Sequence, residues 1–293
     1  MNPSQVPHPI VLALAFSLLL GGCASTNKMN STLPEEKKMS QDSTSQKLSS
    51  DQDKSHAPGS HTEATAGSHV EWSYNGLTGP NLWGDLDPSF QACKTGDNQS
   101  PIDLKWARPN QQRPIEINYK TSPLKVIDNG HTIQVNVDPG SVLKVNGNEY
   151  ELLQLHFHAQ SEHTLSGKHY PMEVHFVHKS HDGKAAVLGR MIEVGDKPHP
   201  FIKQIWEHLP SEKNKEMTIA GQTINLDLAI PKIKTYYNYS GSLTTPPCTE
   251  GVDWNVLNTP MKISHEQLAA FRSIYSNNSR PVQQINNRKP ANF

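Results

Sequence analysis

Apolar and polar residues alternate with a period of two in several short segments of the chain, the pattern of half-buried strands. Thr132 to Val137 (TIQVNV) and Val142 to Val145 come first, and the Asn146-Gly147 dipeptide that follows suits a tight type I′ hairpin turn. The chain then runs extended from Glu149 to His158, loops through SEHTLSGKHYP, and resumes as a strand from Met172 to His178. Ser180 to Gly183 turns it once more, into Ala185 to Glu193. Strands this short, with turns this frequent, predict an antiparallel meander in which 149–158 and 172–178 are neighbours. Helical spacing is confined to two places. Phe201, Ile202, Ile205, Trp206 and Leu209 fall on one face between Pro200 and Pro210, and Leu268, Phe271 and Ile274 follow a Ser264/Gln267 capping box.

The N-terminal quarter does not share this patterning. Residues 11 to 20 (VLALAFSLLL) form an apolar run of ten, short of the roughly 18 to 20 residues that span a bilayer, and read as the core of a signal peptide. The run ends in Leu20-Gly21-Gly22-Cys23, which resembles the bacterial lipobox, where the cysteine is acylated and becomes the mature N-terminus; Gly21-Gly22-Cys23-Ala24 also suits an ordinary small-residue cleavage. Residues 24 to 70 hold ten Ser and five Thr and no aromatic residue. A stretch so poor in apolar side chains cannot offset its ordering entropy, so it is expected to be a disordered tether. What remains, 71–293, is one domain. Its balanced charge, within a chain of 27 basic and 28 acidic residues, lacks the basic excess of a nucleic-acid binder.

Histidine carries the chemistry. Eight of the fifteen His lie between 131 and 181. Along Gln154-Leu155-His156-Phe157-His158, strand alternation puts Gln154, His156 and His158 on one face; on the next strand Glu173, His175 and Val177 share a face, opposite Val174, Phe176 and His178. If the two faces meet, three imidazoles converge. Three neutral imidazoles with an open fourth position describe a catalytic zinc site, and Gln154 and Glu173 stand two residues from ligands, placed to take the free ring N–H groups. The spacing His156-x-His158-x-x-x-Glu162 also fits a cupin's first motif, in which Glu162 would ligate iron or manganese, although no second cupin motif follows. No repeats, phosphate loop or serine-nucleophile elbow appear.

The segment QLHFHAQSEHTLSGKHYPMEVHFVHK, with WSYNG at 72–76, NQSPIDL at 98–104, NGHT at 129–132 and YSGSLTTPPCTEGVDWNVL at 239–257, resembles the alpha-class carbonic anhydrases, with the motifs in the family's order across nearly all of 71–293. The resemblance implies a mainly β (α+β) fold: a large, mostly antiparallel twisted sheet with short flanking helices and a zinc ion in a conical cleft. It implies the reversible hydration of CO2 to bicarbonate and a proton, by zinc-hydroxide attack. His156, His158 and His175 would hold Zn2+, which lowers the pKa of bound water to ~7 from ~15.7, values for which carbonic anhydrases are the reference case. Thr244 would accept the nucleophile's proton and donate its own to Glu162. Val177, Val187, Leu243, Thr245, Val252 and Trp254 would bind substrate. His131 would shuttle the product proton over water ordered by Tyr74 and Asn129.

His163 matches a structural histidine near Glu173, while His169, His178 and His181 are expected at loops or surface. Cys93 and Cys248 match the disulfide of exported bacterial members, leaving Cys23, the odd cysteine, for the lipid. The expected location is then the bacterial envelope, periplasmic or cell-surface, with a membrane partner through Cys23; soluble export is the alternative, and the oligomeric state stays open between monomer and homodimer. A member that only binds, without catalysis, would typically have lost a zinc histidine, and this chain keeps all three.

Overall fold

In the computed structural model the described residues are 70–106, 108, 109 and 114–293, so the leader, Cys23 and all of the tether but Val70 lie outside them. The strands are β1 (Arg108–Pro109), β2 (Glu116–Asn118), β3 (Ser122–Asp128), β4 (Ile133–Asn136), β5 (Val142–Val145), β6 (Asn148–His158), β7 (Thr164–Leu165), β8 (Lys168–His169), β9 (Met172–Lys179) and β10 (Ala185–Val194). They continue as β11 (Met217–Ile224), β12 (Tyr236–Ser242), β13 (Glu250–Ile263) and β14 (Ala291–Asn292). Four short helices accompany them: α1 (Trp83–Leu86), α2 (Ala92–Thr95), α3 (Pro200–Trp206) and α4 (His265–Arg272).

All strands but β7 and β8 form one sheet, ordered β1-β14-β12-β13-β10-β9-β6-β4-β3-β11, with β5 and β2 attached beside β6. The alternating segments of the sequence are β4, β5, β6, β9 and β10, and the predicted neighbours β6 and β9 do pair, antiparallel. Asn146 and Gly147, between β5 and β6, both have positive φ (53° and 77°), the backbone a type I′ turn needs. The sheet is not uniformly antiparallel. β10 and β13, near its middle, run parallel, which requires the long crossover through α3, β11 and β12. Near the end of that pairing the register shifts between Arg190 and Ile192, where Pro260 on β13, lacking an N–H, is accommodated.

Alternation divides the core between the two sheet faces. Leu155, Phe157, Val174, Phe176, Ala186 and Leu188 join the main cluster, which α3 and α4 cover through Phe201, Ile205, Leu268 and Phe271. The capping box at Ser264 and Gln267 starts α4 as the sequence predicts. Ile274 lies past the end of α4 and stays partly exposed, and α3 stops at Trp206, short of Leu209. A second, smaller cluster lies on the other face: Ile102, Val187, Tyr239, Val252, Trp254 and Val256. Gly241 allows it to close, since a Cβ there would meet Ser100 Oγ at 2.1 Å and Trp254 Cδ1 at 2.8 Å.

Cys93, in α2, is bonded to Cys248 in the loop before β13 (Cα–Cα 5.0 Å), and Trp83 packs on the bridge. The cross-link closes a loop with a sequence separation of 155, worth roughly 5 kcal/mol in the chain-entropy account. Among the described residues no helix is long and apolar enough to cross a membrane.

Candidate active site

Register brings the histidines together. His156 on β6 stands directly opposite His175 on β9, with Gln154 opposite Val177 and His158 opposite Glu173. The register shift between Leu152 and Gln154 leaves Leu153 as an extra residue, 44% exposed. One nitrogen from each of His156, His158 and His175 lies within 4.8 Å of the others.

The remaining nitrogens are tied back. His156 Nδ1 lies 2.9 Å from Gln154 Oε1, His158 Nδ1 lies 2.8 Å from the Asn278 carbonyl, and His175 Nε2 lies 3.0 Å from Glu173 Oε1. The acceptors of His156 and His158 each fix a proton on the nitrogen they face and leave the opposite one a bare lone pair, and the Glu173 carboxylate lies close enough to His175 Nε2 to favour the proton there. Among the described residues His158 Nε2 is buried without a hydrogen-bond partner, an orphan that a bound cation would satisfy. Burial depresses all three imidazoles, His158 to about 4 and His156 well below its ordinary value, with its two histidine neighbours adding to the effect of burial. All three are therefore neutral at pH 7, the form that ligates, and a trio of imidazoles suits zinc, copper, iron or nickel rather than magnesium or calcium.

Glu173 is the anchor of this arrangement. Its carboxylate accepts the backbone N–H groups of Glu162 and His163 (2.9 and 3.0 Å) and lies 2.8 Å from His163 Nδ1. Burial works to raise its pKa, but His163 and His175 outweigh that and hold it well below the ordinary value. His163 Nε2 continues to Tyr239 Oη at 2.6 Å. Gly189 sits opposite His175, and a Cβ there would come within 3.1 Å of Glu173 Oε1.

Glu162 follows β6 and is fully buried. Its Oε1 accepts the Arg280 backbone N–H at 2.8 Å. Burial pushes the carboxyl up to about 7, while His175, that N–H and the Thr244 hydroxyl pull it down. The next residue, Thr245, lines a cavity of about 110 Å³ with His156, His158, Gln154, Tyr74, Asn129 and His131. This is the polar side. On the other, the Trp254 and His175 ring centroids are 4.8 Å apart, and Val187 is opposite both Val177 and Trp254 on its two neighbouring strands. Val177, Val187, Leu243, Val252 and Trp254 thus share one apolar cluster beside the imidazoles.

His131 lies in the turn between β3 and β4, its ring stacked on Trp72 at 3.7 Å between centroids and 5° between planes. It borders both the cavity and an outer groove of about 570 Å³ shared with Glu71, Trp72 and Asn214. Asn129 holds the turn: its Oδ1 accepts the N–H groups of His131 and Thr132, each at 3.0 Å, and its Nδ2 donates to Gln134. Tyr74 has its hydroxyl pKa raised well above 10 by burial and by the Glu162 charge.

His169 and His181 are exposed as expected, but His178 is not. It is fully buried in the core-facing side of β9, its Nε2 2.7 Å from the Tyr119 hydroxyl and its Nδ1 3.3 Å from the Ala186 carbonyl. The face opposite His156, His158 and His175 is the face α3 and α4 cover, so a residue on it cannot reach water. Sequence reasoning missed Asn278, Arg280 and the stacking of Trp72 on His131. Asn278 acts on His158 through a main-chain carbonyl, which no side-chain pattern reports.

A family model described as eukaryotic-type carbonic anhydrase matches residues 78–291. The chain is 39% identical to a carbonic anhydrase of Pectobacterium carotovorum, over 77% of this chain and 92% of that protein. It is 42% identical to one from a Nostoc species, over 75% of this chain and 84% of that protein. The solved alpha-carbonic anhydrase of Thermovibrio ammonificans, in complex with the inhibitor sulfanilamide, superposes with a TM-score of 0.73 at 42% identity, covering 76% of this chain and all of that one.

Proposed function

Since the chain belongs to the alpha carbonic anhydrase family, we propose that it hydrates CO2 reversibly with a zinc ion held by His156, His158 and His175. The observation that carries this reading is the convergence of three neutral imidazoles whose outward nitrogens each lie within 3.0 Å of an acceptor. Alpha carbonic anhydrases are zinc enzymes, and the ion supplies a nucleophile at neutral pH by lowering the pKa of a water that it binds.

The chain's own residues do the rest. Thr244 donates its hydroxyl proton to the Glu162 carboxylate, so its lone pair can only accept the proton of the attacking oxygen, which turns that oxygen's own lone pair toward carbon. This requires Glu162 ionised; a dication among the neighbouring imidazoles favours that form against the burial that raises its pKa. Val177, Val187, Leu243, Val252 and Trp254 keep water from the other flank and leave an apolar surface for CO2, with Thr245 at the polar edge. Proton removal falls to His131, which touches the inner cavity and the outer groove at once; water alone is a poor acceptor at neutral pH and an imidazole titrating near ~6.5 is a good one. Tyr74 and Asn129 line the space between.

The disulfide fits an oxidising compartment. With the apolar run at 11–20 and Cys23 after it, it supports export and attachment to the bacterial envelope through a lipid on Cys23.

The test is stopped-flow CO2 hydration by the purified protein, before and after zinc chelation, with metal analysis of the same samples. One zinc per chain, activity lost on chelation and regained with zinc, is the expected result. Zinc-loaded protein that does not hydrate CO2 would overturn the reading.

A further inference from the structure

The Asn278 side chain plays no part in the reaction sequence above, yet this single buried residue reaches both the strand of His156 and His158 and the turn of His131. Its carbonyl accepts from His158 Nδ1, its Oδ1 accepts the Ala159 N–H at 2.8 Å, and its Nδ2 donates to the carbonyls of Phe157 (2.9 Å) and His131 (3.0 Å). Thr132, next to His131, makes a second tie to the same strand: its hydroxyl donates to the Phe157 carbonyl and accepts the Phe157 N–H at 3.2 Å. The far side of the turn is held separately, by Asp128 Oδ1 accepting the Gly130 N–H at 2.9 Å.

We propose that the Asn278 side chain is a positioning residue for proton transfer, fixing the backbone of His131 to the strand that carries His156 and His158. The inference rests on His131 as the shuttle. A proton relayed over ordered water depends on a fixed span between its ends, and a displacement of about 1 Å can cost up to ~10²-fold. The His131 ring faces a groove and stacks on a half-buried Trp72, and the place of its main chain sets where that ring can sit relative to the metal site. That main chain is tied at its carbonyl to a residue 0% exposed.

The test is Asn278→Ala, which removes the amide but keeps the carbonyl that His158 needs. In dilute buffer kcat is expected to fall about tenfold, with kcat/KM within about twofold of wild type and zinc content unchanged. Imidazole added to the solution should restore kcat. In a His131→Ala background the same substitution should have no further effect on kcat, because it acts through His131. Thr132→Val, which exchanges a hydroxyl for a methyl group, gives a second approach if the Ala variant does not fold; a loss of about threefold in kcat with the same rescue is expected. Equal losses in kcat and kcat/KM, or an effect that persists without His131, would overturn the proposal, as would wild-type kcat in either variant. An inactive zinc-loaded wild type would instead overturn the proposed function, and a His131→Ala variant with wild-type kcat would overturn the shuttle.

Discussion

His178 and Tyr119 form a buried pair that should give the protein a measurable acid sensitivity. Burial lowers the His178 pKa from 6.5 to about 3, although carbonyls of Ala186 and Phe176 work to raise it. The folded state therefore resists a proton that the unfolded chain accepts, so the stabilisation is complete above about pH 6.5 and is lost as pH falls toward 3. At pH 5, ~1.5 units below the unfolded pKa, the loss is ~2 kcal/mol at 1.36 kcal/mol per unit. Tyr119→Phe with His178→Leu removes both members of the hydrogen bond and leaves no orphaned hydroxyl, so it should cost less than ~1 kcal/mol at pH 8. His178→Leu alone strands the Tyr119 hydroxyl and should cost about 1 to 3 kcal/mol. Urea denaturation of zinc-loaded wild type and double variant at pH 8 and pH 5 gives the comparison. Protonation of the zinc ligands is common to both proteins and cancels in the difference. The double variant should lose ~2 kcal/mol less than wild type between the two pH values; an identical loss would refute the assignment of that slope to His178.

Three other outcomes are expected. His175→Ala should cost more zinc affinity than the about 10- to 100-fold typical of an outer partner and abolish hydration, whereas Gln154→Ala, which leaves His156 Nδ1 without its acceptor, should weaken zinc by about that range; chelator competition measures both. Thr244→Val should lower kcat/KM by about 10²-fold at unchanged zinc content, by analogy with the loss of one preorganised hydrogen-bonding group, and stopped-flow kinetics checks it. Labelling with palmitate should disappear in Cys23→Ser, and labelling that persists would refute the lipid attachment.

The strands that alternate were legible. β4 and β5 bury one face more than the other and β6 does so along most of its length, and the i, i+2 spacing of His156 and His158 follows from that geometry; β9 and β10 are buried on both faces and were legible as a hairpin about the turn at 180–183. β13 was not read as a strand although Val252-Asp253-Trp254-Asn255-Val256 alternates: Pro260 argues against a strand interior, and the polar Asn255 is buried along with its apolar neighbours. β3 begins Ser122-Pro123, and proline argues against a strand interior. β11 is exposed along most of its length and carries little apolar signal. The same limit explains His178: alternation placed it correctly on the face opposite the ligands, but only the packing of α3 and α4 makes that face the interior. The convergence of the three imidazoles was legible because it is local; the acceptor of His158 lies 120 positions away.

That contrast between local and distant parts sets an order of assembly during synthesis. His156, His158 and His175 lie within twenty residues on two strands that pair antiparallel as neighbours, so all three have left the ribosome long before Thr244, Val252, Trp254 and Asn278. The parallel pairing of β10 with β13 joins Ala186 to Asp253, and contacts of such separation close late. Thr244, Val252, Trp254 and finally Asn278 arrive with or after that closure. A growing chain thus completes the imidazole trio proposed to hold zinc first, and the groups proposed to put that ion to use, Thr244, the apolar wall and the tie on the His131 turn, only when the C-terminal strands are in place.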